Sequence, residues 1–208
     1  MIVDIGLSNI GSVRQALSRV GAGSMTARSA GELEGASAVI LPGVGAFGDG
    51  MAALREQGLV EPLRAHAAAG RPLLGICLGM QLLADASEEH GSHDGLGIVP
   101  GRVVRLAPAD SALPVPNIGW CDIADVSDVA DVGDVSTASE DDTAYYFAHG
   151  YHLIPDDPAD VAGVFDYGGP VTAIVRRGSV TGVQFHPEKS QDAGLEMLER
   201  FVASAVPA

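Results

Sequence analysis

The sequence predicts an α/β fold. We expect one domain with a mainly parallel, open sheet flanked by helices and an antiparallel or mixed extension of the sheet in the C-terminal half. Apolar strands alternate with helical segments in the first half, whereas the second half holds short strands separated by turn residues. The chain has 208 residues and 47% hydrophobic residues, which suffices for one substantial core but not for two large domains.

The first half reads as alternating strands and helices. The predicted strands span residues 2–5, 38–41 and 72–76, and the predicted helices span residues 12–20, 51–55 and 59–69. We expect Ser12 to cap the first helix, because a side-chain oxygen at that position satisfies a free backbone N–H. The strand at 38–41 ends in a glycine-rich loop, residues 42–48.

The second half predicts a different strand arrangement. The predicted strands span residues 103–106, 145–148, 161–165, 172–175 and 181–184, with a hairpin connection at 166–170 and a last helix at 193–203. An acidic, solvated loop is expected at about 122–142, because Asp-Val-Xaa triplets repeat every three residues there and match neither strand nor helix. A metal site is the less favoured alternative, since the spacings of a calcium loop are absent.

Charge and composition exclude several classes of function. The formal net charge of −15 disfavours nucleic-acid binding, because such a surface repels phosphate backbones. No apolar stretch approaches the roughly 20 residues of a membrane span, and the N-terminus lacks the pattern of a signal peptide. Two cysteines, Cys77 and Cys121, do not make a disulfide framework, so a reducing cytoplasm is expected.

Cys77 is the strongest candidate for a nucleophile. It lies between Gly75 and Gly79, after an apolar strand and before a helical segment. This is the layout of a nucleophile elbow with sulfur in place of the serine oxygen, where small neighbours permit a tight turn. The start of the following helix favours thiolate over thiol. Cys121 has no such setting and is interpreted as structural.

His186 and Glu188 are the candidate base and its orienting carboxylate. They flank Pro187 at the end of another apolar strand. In extended backbone, side chains two residues apart project to the same side, so Glu188 could fix the tautomer of His186. Together with Cys77, the pair predicts a Cys-His-Glu hydrolase or acyl-transfer site.

Attack of a thiolate on a carboxamide needs donors for the resulting oxyanion. One is expected from the backbone N–H of Leu78, next to the nucleophile. The loop of Gly43, Val44 and Gly45 is the candidate for the second, because a glycine-rich backbone can approach closely; an ordinary tight turn is the alternative.

The remaining histidines are less informative. His66, His90 and His93 are interpreted as surface residues from their polar or helical context. His149 could line a pocket or satisfy the end of a strand, and the sequence leaves both readings open.

Two segments of the chain, one around Cys77 and one around His186, carry the motifs of a known family. Residues 75–81 together with 184–188 resemble the class I (triad) glutamine amidotransferases. Within that class the chain resembles the glutaminase subunits of imidazole glycerol phosphate synthases, which act in histidine biosynthesis. Four segments carry this second resemblance: residues 41–49, 77–83, 95–101 and 186–190.

The resemblance implies a reaction and a partner. Glutamine would be hydrolysed to glutamate and ammonia, and the ammonia would pass to a (β/α)₈-barrel cyclase subunit, with no cofactor or metal. The implied triad is Cys77, His186 and Glu188, and the implied oxyanion strand is Gly43, Val44 and Gly45. The implied glutamine contacts are Gln81, His149 and Tyr151, and the residues implied to face the cyclase are Asn9, Trp120 and Lys189.

Two other hypotheses stay open. One is an amidotransferase subunit of another pathway or a stand-alone γ-glutamyl hydrolase, although Phe47-Gly48-Asp49 and Met80 count against it. The other is a non-catalytic binding subunit with a vestigial triad. The sequence also departs from the resembled family at residues 4–9, at residues 117–121 and at Gly150.

Overall fold

The computed structural model describes residues 1–125 and 144–205. The α-helices in these ranges are α1 (Ile10–Arg19), α2 (Ala30–Leu33), α3 (Phe47–Glu56), α4 (Val60–Ala68), α5 (Leu78–Leu82) and α6 (Gln191–Ser204). The strands of the first half are β1 (Ile2–Val3), β2 (Thr26–Ala27), β3 (Val39–Gly43), β4 (Leu73–Cys77), β5 (Ala86–Ser87), β6 (His93–Asp94) and β7 (Gly101–Arg105). Those of the second half are β8 (Asn117–Asp122), β9 (Ala124–Asp125), β10 (Ala144–His149), β11 (Tyr151–Pro155), β12 (Val161–Asp166), β13 (Pro170–Arg177) and β14 (Val180–Val183).

The main sheet confirms the predicted α/β fold. Its strand order is β2-β1-β3-β4-β14-β13-β12-β9. The pairs from β2 through β14 are parallel, and the pairs that add β13, β12 and β9 are antiparallel. Two smaller sheets accompany it, one of β8 and β10 and one in the order β11-β7-β5-β6. The antiparallel extension therefore lies in the C-terminal half, as the turn-rich pattern there indicates.

The central strands β3 and β4 are buried along their whole length. Alternate side chains enter opposite faces of a strand, and along β3 Leu41 joins one hydrophobic cluster while Ile40 joins the other. Helices α3 and α4 cover the first face with residues such as Leu54 and Leu63, whereas α1 and α6 cover the second. Strands covered on both faces need continuous apolar runs, which is what the sequence supplies.

The pairing register of β3 and β4 places the glycine-rich loop beside the elbow of Cys77. Gly43, the last residue of β3, is paired with Cys77, the last residue of β4. Because the two strands are parallel, the glycine-rich loop and the elbow leave the same edge of the sheet side by side. Strand β14, which pairs with β4 on its other side, delivers the segment of His186 to that edge.

Two local predictions, the cap of α1 and the exposure of His66, are wrong. Asn9, not Ser12, caps α1, since the Asn9 side chain accepts a hydrogen bond from the Ser12 N–H at 3.2 Å. His66 is buried rather than on the surface, with 2% of its area exposed, and its Nε2 lies 3.0 Å from the Pro72 carbonyl oxygen. Burial lowers the pKa of His66, so the neutral imidazole fits this apolar site.

The acidic loop expected at 122–142 needs a correction at its start. Asp122 ends β8, and residues 124 and 125 form β9, which pairs with β12. Most of the Asp-Val repeat lies outside the described residues. No helix within 1–125 and 144–205 is long and apolar enough to cross a membrane.

Candidate active site

Cys77 occupies a strained elbow between β4 and α5. Its φ is 54° and its ψ is −110°, a conformation that side-chain-bearing residues rarely adopt. The flanking glycines are required by close backbone approach: a Cβ at Gly79 would collide with the Leu41 carbonyl oxygen, and one at Gly75 would lie 2.7 Å from the Gly79 oxygen. The elbow expected from the sequence is therefore present.

His186 and Glu188 are in direct contact. His186 Nδ1 lies 2.8 Å from Glu188 Oε1, and 4% of each side chain is exposed. The contact arises differently from the expectation, because Pro187–Lys189 is a 3₁₀ turn and not extended backbone. The His186 N–H donates to the Tyr146 carbonyl, and the Ser190 hydroxyl donates to the His186 carbonyl, which fixes the turn.

The electrostatics of His186 favour its protonated form. Burial lowers the pKa of His186, but hydrogen bonds with Cys77 and Glu188 and the charges of both partners outweigh burial and raise the pKa to about 9. Because Glu188 is an acceptor, Nδ1 carries the proton toward it and Nε2 serves the sulfur side. Cys77, His186 and Glu188 thus form one contiguous chain of contacts.

A cavity of about 180 Å³ opens beside Cys77. Its lining includes seven residues that the sequence singled out: Val44, Gly45, Cys77, Leu78, Gln81, His149 and Tyr151. Gly43 lies just behind this wall, where a Cβ would come within 3.0 Å of Leu78 Cβ. The candidate nucleophile, oxyanion loop and substrate contacts therefore meet at one place.

His149 lines the cavity and carries an unpaired acceptor. Its Nδ1 lies 2.9 Å from the Tyr151 carbonyl oxygen and must donate to it, so Nε2 bears the lone pair. Nε2 is buried and has no hydrogen-bond partner among residues 1–125 and 144–205. Burial lowers the pKa of His149 to about 4, so the ring is neutral near pH 7.

Glu89 is a cavity residue that sequence reasoning missed. One of its carboxylate oxygens accepts the Phe47 N–H at 2.7 Å, at the start of α3. The side chain also lines the cavity next to Gln81 and brings a formal negative charge to it. No motif marks Glu89, since it lies in an irregular stretch between β5 and β6 whose path depends on packing.

The loop after β3 is held by a hydrogen bond to the N-terminal segment. The Val44 N–H donates to the Leu7 carbonyl oxygen at 2.7 Å. Its donor is therefore engaged away from the cavity, whereas Gly45 lies in the left-handed region with φ of 104°. In this conformation the Val44 amide is not available to an oxyanion beside Cys77.

Trp120 and Lys189, two of the three residues implied to face a partner, contact the same Tyr146 ring. Lys189 Nζ is 5.5 Å from the centroid of the Tyr146 ring, and Trp120 packs edge-on against the same ring at 5.8 Å. Trp120 is 47% exposed. Asn9 begins α1, which packs against the Pro187–Lys189 turn.

Comparison with known proteins identifies the family. The family model described as glutamine amidotransferase class-I matches residues 1–205, and the chain belongs to that family. It is 44% identical over 200 residues to the imidazole glycerol phosphate synthase subunit HisH of Desulfitobacterium hafniense, covering 96% of this chain and 92% of that protein. It is 42% identical over 208 residues to the HisH subunit of Rhodopirellula baltica, covering 99% and 97%.

Solved structures support the same fold. A crystal structure of a glutamine amidotransferase superposes with a TM-score of 0.74 at 22% identity, covering 98% of this chain and 97% of that one. The structure of PurLQS from Thermotoga maritima gives 0.73 at 22% identity, covering 98% and 95%.

Proposed function

We propose that this chain is the glutaminase subunit of an imidazole glycerol phosphate synthase. It hydrolyses L-glutamine to glutamate and ammonia for histidine biosynthesis. The observation that carries the proposal is the contact chain of Cys77, His186 and Glu188 beside a cavity. The HisH relatives, at 40–44% identity over nearly the whole chain, support the same activity and pathway.

The first half-reaction forms a thioester. The Cys77 sulfur bonds to the amide carbon of glutamine, and the electron pair of the C=O bond moves onto oxygen. The Leu78 N–H and the Gly43–Gly45 backbone are the proposed donors to that oxyanion. When it collapses, protonated His186 gives its proton to the amide nitrogen, the C–N bond breaks and ammonia leaves.

The second half-reaction restores the enzyme. Neutral His186 removes a proton from water, and the oxygen of that water bonds to the thioester carbon. Collapse of this second tetrahedral intermediate breaks the C–S bond, which releases glutamate and returns Cys77 as thiolate beside protonated His186. Glu188 holds the imidazole through Nδ1 and stabilises its cationic form in both steps.

The cavity suits the amino-acid end of glutamine. Its lining includes the carboxylate-bearing residue Glu89. Both N–H groups of Gln81 are used, by the Tyr151 carbonyl at 2.8 Å and by Gln184 Oε1 at 3.0 Å, so Gln81 offers its oxygen. A set of acceptors with one negative charge matches an α-ammonium group.

We expect Glu89→Gln to raise KM for glutamine by about tenfold to a hundredfold, because it removes a charge-assisted hydrogen bond to the ammonium. The new amide oxygen can still accept the Phe47 N–H, so α3 should remain in place. Steady-state glutamate release measures KM. The neighbouring exposed Glu88→Gln is the matched control, and an unchanged KM in Glu89→Gln would remove Glu89 from substrate binding.

The partner in this proposal is a (β/α)₈-barrel cyclase that receives the ammonia. Trp120 and Lys189, joined through the Tyr146 ring, and Asn9 at the start of α1 are the proposed contacts. Trp and Tyr are enriched among the residues that anchor interfaces, and Trp120 is partly exposed. A cytoplasmic location is part of the proposal and agrees with two free thiols.

The Val44–Leu7 hydrogen bond predicts low activity of the isolated chain. The Val44 amide must turn away from Leu7 before it can donate to the oxyanion, and a missing donor of this kind costs on the order of 100-fold or more in kcat. Binding of the cyclase near residues 4–9 could supply the free energy for that turn.

The test is glutamate release by the purified chain, alone and with the barrel cyclase and its ribotide ligand. We expect activation of about 100-fold or more on addition of the partner and ligand. Full activity without the partner would favour a stand-alone hydrolase. Activation by the synthetase of another pathway would replace the partner in the proposal, and no hydrolysis in either case would overturn it.

A further inference from the structure

A buried glutamine other than Gln81 contacts the sulfur of Cys77. Gln184 follows β14, has none of its surface exposed, and is held by a backbone hydrogen bond from its N–H to the Ala173 carbonyl. Its side-chain Oε1 accepts from Gln81 Nε2 at 3.0 Å, and its Nε2 lies 3.7 Å from Cys77 Sγ. Two side-chain amides therefore connect the backbone of β11 with the nucleophile.

The Tyr151 carbonyl fixes the orientation of the Gln81 side-chain amide and, through it, that of the Gln184 amide. The Tyr151 carbonyl oxygen can only accept, so the Gln81 group facing it, 2.8 Å away, must be the NH₂. The other N–H of that NH₂ points at Gln184 and requires an oxygen there. The remaining end of the Gln184 amide is then its NH₂, and this group faces the sulfur. The Tyr151 carbonyl of β11 thus orients both amides so that an N–H donor of Gln184 faces the Cys77 sulfur.

A donor distinguishes the two protonation states of the sulfur. A thiolate has no proton and accepts strongly, whereas a thiol accepts weakly. The Ala148 carbonyl oxygen, 3.9 Å from Sγ, can only accept a hydrogen bond from the thiol S–H. Gln184 therefore favours the form that attacks and restricts where the sulfur lies.

We propose that Gln184 is a further catalytic residue, whose amide N–H stabilises the Cys77 thiolate, and that Gln81 is the positioning residue that fixes the direction of that amide. The inference rests on the proposed glutaminase function and adds a donor to the nucleophile. Gln81 then has two roles, since its oxygen faces the cavity while its NH₂ anchors Gln184.

The central test is Gln184→Met, which keeps the approximate length of the side chain and removes the donor. In a Cys121→Ser background Cys77 is the single thiol. The rate of alkylation by iodoacetamide, a neutral probe that needs no glutamine site, is measured against pH. We expect the midpoint of this profile to rise by about one pH unit in Gln184→Met, a roughly tenfold loss of rate at lower pH.

The Gln81→Met variant tests the direction of the amide. Without Gln81 the Gln184 amide can rotate, so a smaller upward shift of the midpoint is expected. The double variant should shift no further than Gln184→Met alone, because both changes act through the same N–H. Additive shifts would show that Gln81 acts on the sulfur by another route and would overturn its positioning role.

Thermal unfolding of each variant separates this role from folding. If Gln184→Met is too unstable, Gln184→Leu removes the same donor with a different apolar shape. A folded variant with an unchanged alkylation midpoint would overturn the inference. If the midpoint rises from the parent protein to Gln184→Met but the parent has no glutaminase activity with the partner, the proposed function fails while the donor to Cys77 stands.

Discussion

Cys77→Ser is expected to abolish glutamine-dependent synthesis by the complex while synthesis from added ammonia survives. Serine keeps the elbow, whose backbone conformation is set by β4 and the close approach of Gly79 to Leu41. A hydroxyl has a much higher pKa than a thiol, and the environment built for a thiolate does not ionise it. We expect a loss of about 10⁴-fold or more in glutamate release.

Two comparisons make this result specific. Cys121→Ser is the matched control, because Cys121 is the other thiol and lies on β8, where its sulfur is 3.7 Å from the Asn117 amide nitrogen. It should retain both glutamine-dependent and ammonia-dependent synthesis. If Cys77→Ser kept glutamine-dependent turnover, the thioester mechanism would be wrong. If ammonia-dependent synthesis also failed, Cys77 would be needed for assembly of the complex.

Features carried by local sequence were predictable. The apolar runs predict β3 and β4, and the glycines around Cys77 predict the elbow, because only glycine tolerates the backbone contacts found at positions 75 and 79. The parallel sheet then brings the Gly43 loop beside Cys77. Residue type and strand order were enough for these conclusions.

Features that depend on long-range packing were not predictable. Glu89 reaches the cavity through a hydrogen bond to Phe47, 42 positions earlier, and nothing in its neighbourhood signals that contact. The Val44 N–H has a partner in Leu7 that no spacing rule indicates. Gln184 belonged to a recognised motif, yet its contact with sulfur depends on Gln81, 103 positions away. His66 looked exposed because a helical pattern does not reveal which face the Pro72 loop covers.

The geometry also bears on the open alternatives. A vestigial triad has no need for a buried His186–Glu188 pair or an acceptor at His149 Nε2, since unpaired buried polar atoms destabilise a protein that gains nothing from them. In a stand-alone hydrolase the Val44 N–H would be expected to be free for the oxyanion, whereas here it donates to the Leu7 carbonyl. These observations favour an active, partner-dependent enzyme, which is the form in which the proposal is tested.

Glu188→Gln is expected to lower kcat by about 10³-fold while KM changes little, because the variant keeps the shape of the side chain and loses its charge. Hydrogen bonds and charges from Cys77 and Glu188 raise the pKa of His186 to about 9 against the effect of burial. Removing the Glu188 charge therefore lowers that pKa toward the ordinary histidine value. At pH values between the lowered pKa of His186 and about 9, the imidazole of the variant is neutral. The Cys77 thiolate then lacks a cationic partner, and the amide nitrogen of the substrate lacks a proton donor.

Two measurements test this prediction together. The pH profile of kcat should lose its alkaline range in Glu188→Gln, and the His186 titration followed by NMR should move to lower pH. Glu196→Gln, at an exposed position of α6 beside Arg200, is the matched control and should leave both unchanged. In the described part of the chain Oε2 of Glu188 is buried without a hydrogen-bond partner, and Oε1 makes the 2.8 Å contact with His186 Nδ1. A variant that kept kcat within about threefold of the parent would show that the imidazole is oriented by packing and not by the carboxylate.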